Sequence, residues 1–127
     1  MKNEIKKRIL EEITQIPKRY LNDTVIKETI RCLLFAFLKE NGLRPIPSFR
    51  VPRYPEGPVD MIGVTNDHAI VLAFCTNPFV ELKDVKSLER VESERKFVIT
   101  FSPHSQKVKE STFFLKPGIE HINIYGE

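Results

Sequence analysis

The stretch from Pro58 to Cys75 constrains the fold of this chain more than any other. Pro58 to Val64 reads as one strand, Thr65-Asn66-Asp67-His68 as a tight turn, and Ala69 to Cys75 as a second strand. That second strand is seven apolar residues without a charge. A half-exposed strand alternates apolar and polar side chains, so an unbroken apolar run predicts a central strand covered on both faces. One acid, Asp60, lies on the first strand.

A chain of 127 residues is long enough to bury such a sheet as one domain spanning 1–127. With 41% apolar and 29% charged residues, disordered and fibrous classes are excluded. The most apolar uncharged run outside the strands, Cys32 to Leu38, is far shorter than the ~20 residues a membrane helix needs, so no membrane partner is expected. Met1 to Arg8 leads into acids, which is no secretory signal, and a cytoplasmic protein is expected. Cys32 and Cys75 lie in apolar runs without metal-ligand spacing and are expected to be reduced core residues. His68, His104 and His121 propose no zinc site, and no glycine-rich phosphate loop or nucleophile elbow is present.

Ile5, Ile9, Ile13 and Ile16 place one apolar stripe on a charged helix over 3–16, closed by Pro17, within an N-terminal segment 1–17. A second helix is expected from Asn22 or Asp23 to Asn41, capped at its start and stopped at Gly42. Five prolines between 45 and 58 leave an edge strand at Phe49 to Tyr54. Arg44, Arg50 and Arg53, interleaved with Phe49 and Tyr54, make this the segment best suited to phosphate contact. A solvated basic edge that resists aggregation explains the same residues. Asn77-Pro78 predicts the start of a helix to about residue 92, with Phe79, Leu82, Val85, Leu88 and Val91 at three-residue spacing. Strands at Phe97–Phe101 and Ile119–Tyr125 follow, with a short helix over 105–111 between them. Two strands joined by a crossover helix are parallel, and short links make the first three strands antiparallel. The fold class is therefore α/β, a mixed central sheet flanked by helices.

This order, with Pro58-Val59-Asp60 on one strand and an apolar strand after it, resembles the restriction-endonuclease-like superfamily, the PD-(D/E)xK nucleases. The resemblance covers most of residues 23–125. It implies an αβββαβ core with an extra N-terminal helix and a C-terminal strand, closest to small archaeal Holliday-junction resolvase-like and methyl-directed-restriction-like domains. In active members an aspartate and a glutamate on the next strand hold Mg²⁺, and a lysine two residues on assists the attacking water. Hard cations take several oxygen ligands, and phosphodiester hydrolysis needs charge neutralised on the phosphate. Placed on this chain, the glutamate position falls on Ala73 and the lysine position on Cys75, so the resemblance implies a degenerate site with Asp60 as its remnant.

Glu81-Leu82-Lys83 also satisfies the letters, but on a helix begun at Pro78 residues 81 and 83 lie roughly 200° apart and do not share a site. A migrated site would use Asp60, Glu81, Lys83 and Glu28, with Mg²⁺ as cofactor. The expectation is a degenerate nuclease-fold protein, leaning away from an enzyme, that binds DNA or RNA or assists a nucleic-acid machine. Alternatives are an interaction scaffold or homodimer assembled through a sheet edge or the Ile5–Ile16 stripe, and a working Mg²⁺-dependent nuclease with the migrated site.

Overall fold

The computed structural model describes residues 1–126. Helices α1 (Lys2–Ile13) and α2 (Asp23–Glu40) precede strands β1 (Arg44–Phe49), β2 (Val59–Val64) and β3 (Ile70–Asn77). Then come α3 (Leu82–Arg90), β4 (Arg95–Thr100), α4 (Ser105–Ser111) and β5 (Ile119–Asn123). The five strands lie in sequence order in one sheet, β1, β2 and β3 antiparallel, β3, β4 and β5 parallel. From α2 to β4 this is the αβββαβ order that the resemblance implies, with α1 added before it and α4–β5 after.

The apolar run became the middle strand. Its alternation divides the core: Leu72 and Phe74 join Phe97, Ile99 and the apolar faces of α1 and α2, while Ala73 and Cys75 join Val59, Ile62, Val98 and α3. Phe74 and Phe97 stack across the parallel pair with ring centroids 5.2 Å apart. Asn22 caps α2 by accepting from the Val25 amide at 2.9 Å, and Gly42, at φ +77°, ends it. Gly63 lets α2 approach β2, because a Cβ there would stand 2.7 Å from Leu38 Cδ2.

Several expectations are corrected. The edge strand is Arg44–Phe49, not Phe49–Tyr54: the chain turns straight from Gly42 into β1, whose outermost place tolerates Pro45 and Pro47. Residues 50–56 instead form a loop, closed by the Arg50 side chain donating to the carbonyls of Tyr54 and Glu56 at 3.1 Å each. Helix α1 stops at Ile13, leaving Ile16 in a following turn. Its stripe lies against α2 in this chain's own core, which removes it as an assembly surface. Cys32 is exposed on α2, since the apolar run around it wraps beyond the buried face.

Helix α3 starts at Leu82 rather than Pro78. Strand β3 continues to Asn77, opposite Thr100, and the link is held extended by Ser102 N donating to Pro78 O and Val80 N to Ser111 Oγ. The face it buries also differs. Residues spaced by three drift about 60° per step on a 3.6-residue helix, so Leu82 faces solvent while Asp84, Val85, Ser87 and Leu88 face in. Strand β5 ends at Asn123, two residues early, and Ile122 and Ile124 share the α1–α2 side.

Candidate functional site

Because β2 runs antiparallel to β3, the start of one meets the end of the other, and the Asp60 carboxylate reaches the Thr76 amide. The Asp60 carboxylate is shielded from solvent. Its Oδ2 accepts from the Thr76 amide at 2.7 Å, and its Oδ1 faces Arg31 Nη1 at 3.4 Å and Lys27 Nζ at 3.9 Å. Lys27 and Arg31 are one turn apart on α2 and so share a face. That helix begins at this end of the sheet because its other end feeds β1 through the turn at Gly42.

The cluster continues inward. Lys27 Nζ donates to Asn77 Oδ1 at 3.2 Å, and Asn77 Nδ2 donates to the Asp84 carboxylate. Arg31 also reaches Ser48 Oγ at 2.9 Å and Glu28 at 4.0 Å. The Thr76 hydroxyl is buried without a hydrogen-bond partner. Burial pushes the Asp84 carboxyl up to about 6, with Glu81 and Asp60 adding to the rise and the Asn77 bond opposing it.

This shift has a sign. A buried carboxyl that prefers its proton makes the folded state bind protons more strongly than the unfolded one between pH about 4 and 6, so its contribution falls as pH rises through that window. Asp84→Asn is expected to remove about 3 kcal/mol of penalty at pH 7 and nothing below pH 4. Urea midpoints of both proteins across pH 4–7 measure it. A difference that stays flat with pH refutes the assignment.

Both motif positions are sealed in the core, and the Cys75 thiol lies against the Asp60 backbone at the edge of this cluster. Ala73 is 0% and Cys75 1% exposed, both beneath α3, and burial pushes the Cys75 thiol far up, so it holds its proton. Glu81 and Lys83 pair with each other at 3.6 Å on the surface, and exposed Glu28 pairs with Arg31. Since Glu81 precedes α3, the helical angle expected between it and Lys83 does not apply; their mutual ion pair is what occupies them. Arg44 opens β1 while Arg50 and Arg53 follow its far end, so the strand separates them by roughly 20 Å. Arg50 is spent on the loop carbonyls, and Arg53 is exposed at φ +74°. The same loop is pinned to α3 by Glu56 on Arg90 at 2.7 Å and by Tyr54 beneath the Arg90 guanidinium.

A divalent ion of the kind the resemblance implies needs several free oxygen ligands. One oxygen of Asp60 is capped by an amide and the other faces two cations. Among the described residues no group of three or more His, Cys, Asp or Glu could hold a metal. As they stand, these residues do not fit Mg²⁺. Lys27, Arg31, Asn77 and Asp84 were missed in the sequence; the four-residue spacing of Lys27 and Arg31 was visible, but what they face was not.

No family model matches this chain, and no curated protein does. Among solved structures it is similar to a repair endonuclease from Pyrococcus abyssi, at 20% identity and a TM-score of 0.39, over 82% of this chain and 47% of that one. The chain thus spans about half the length of that protein. Among the described residues, no helix is long and apolar enough to cross a membrane.

Proposed function

We propose that this chain is a degenerate nuclease-fold protein, one domain throughout, that binds DNA or RNA or assists a nucleic-acid-processing complex in the cytoplasm without a metal cofactor. The observation that carries this reading is the sealing of positions 73 and 75 in the core, beside an Asp60 already neutralised by Lys27 and Arg31. The αβββαβ order supports the ancestry. Arg53, exposed on the 50–56 loop, supports the binding.

Purified protein with Mg²⁺ or Mn²⁺ is expected to leave single-stranded, duplex and branched DNA uncut. Cleavage that disappears in Asp60→Ala overturns the degenerate reading in favour of a migrated site. Binding is expected to weaken with salt, and Arg53→Ala to lower the slope of log K against log salt by about one. Arg50→Ala should loosen the loop instead. Absence of any binding to DNA or RNA at low salt removes the nucleic-acid reading.

The scaffold reading is favoured by one observation, Phe113, which stands 87% exposed beside Phe114 on the turn after α4. Sedimentation of wild type and Phe113→Ser distinguishes a homodimer or protein assembly from a monomer.

A further inference from the structure

We propose that Lys27 is a built-in counter-cation, its ammonium filling the place between Asp60 and Asn77 that a divalent ion would otherwise take. The inference rests on the degenerate-site reading above and goes past it, since it assigns a role to residues outside the motif. The oxygen donors at this end of the sheet are the Asp60 carboxylate, the Asn77 side-chain carbonyl and, one hydrogen bond further in, the Asp84 carboxylate. These are the hard oxygens a divalent ion selects. Lys27 meets the first two, at 3.9 and 3.2 Å.

Two features separate this lysine from an ordinary surface ion pair. Arg31 divides its guanidinium among Asp60, Ser48 and Glu28, whereas the polar partners of Lys27 among the described residues are Asp60 and Asn77 alone. Asn77 is also oriented by it: the amide turns its oxygen to the ammonium and its NH₂ to Asp84, a cation on one side and an anion on the other. Two carboxylates, Asp60 and Asp84, are thus matched by two fixed cations, Lys27 and Arg31. A tethered charge is present whatever the Mg²⁺ concentration, and it repels an incoming ion at close range. Taking it away leaves Asp60 with Arg31 alone and the Asn77 side-chain carbonyl without a cation.

The test is Mn²⁺ titration followed by electron paramagnetic resonance and calorimetry at pH 7.5, with melting temperature measured with and without Mg²⁺. Wild type is expected to bind Mn²⁺ more weakly than about 1 mM and to show no Mg²⁺-dependent melting. Lys27→Met is expected to bind at least about tenfold tighter and to melt higher with Mg²⁺. Lys27→Arg should stay like wild type, and Asp60→Asn added to Lys27→Met should abolish the gain. Tight Mn²⁺ binding by wild type, or no gain in Lys27→Met, overturns the inference. Should Lys27→Met fail to fold, Lys27→Gln carries the same expectation, and the wild-type titration decides independently of either variant. A wild type that binds no nucleic acid but shows this ion pattern removes the function proposed above and keeps the counter-cation.

Discussion

Placing the letters of the resembled motif in the chain, as Ala73→Glu with Cys75→Lys, is expected to unfold the protein rather than create a nuclease. Both positions lie under α3 against Val59, Ile62, Val85, Leu88 and Val98. A charge buried there without a full set of partners costs several kcal/mol, and pairing the two with each other repays it only in part. The extra atoms add about 1–3 kcal/mol of overpacking. Together these approach the roughly 5–15 kcal/mol by which a domain is stable at all. Circular dichroism and urea unfolding of the double variant measure it. A folded variant that cuts duplex DNA with Mg²⁺ would show instead that the motif positions can open to solvent.

Ile9→Ala is expected to lower stability by about 3 kcal/mol, or roughly 10 °C in melting temperature, without altering sedimentation. Ile9 is 1% exposed, and the floor of its site is Ile5, Leu33, Leu34 and Phe37. Helices α1 and α2 have little space between them to collapse into, so truncation leaves most of its cavity. If the variant kept its melting temperature but lost an oligomeric state, the stripe would be an interface between chains, contrary to the packing seen here.

Much of the scaffold was legible because local rules and tertiary packing agree. Asn22 and Gly42 bound α2 as their capping and left-handed tendencies require. Disagreement came where a long-range contact overruled a local one. Asn77 reads as a helix cap, yet its side chain is claimed by Lys27, fifty residues earlier, and by Asp84, so the helix starts later. Pro45 and Pro47 argue against a strand until that strand is known to be outermost. Asp84 carries no mark in the sequence that sets it apart from the other acids. Its burial follows only from how α3 is rolled against the sheet.

By itself, the sequence determined the hairpin at 58–75, the central place of its apolar strand and the α/β class. Alternation, capping and composition act within a few residues, and those decide such features. Only the tertiary structure decided that Asp60 is neutralised, by a lysine and an arginine from a helix some thirty residues away, and that Glu81 and Lys83 serve each other. Charges meet through space, so no spacing along the chain could have paired them.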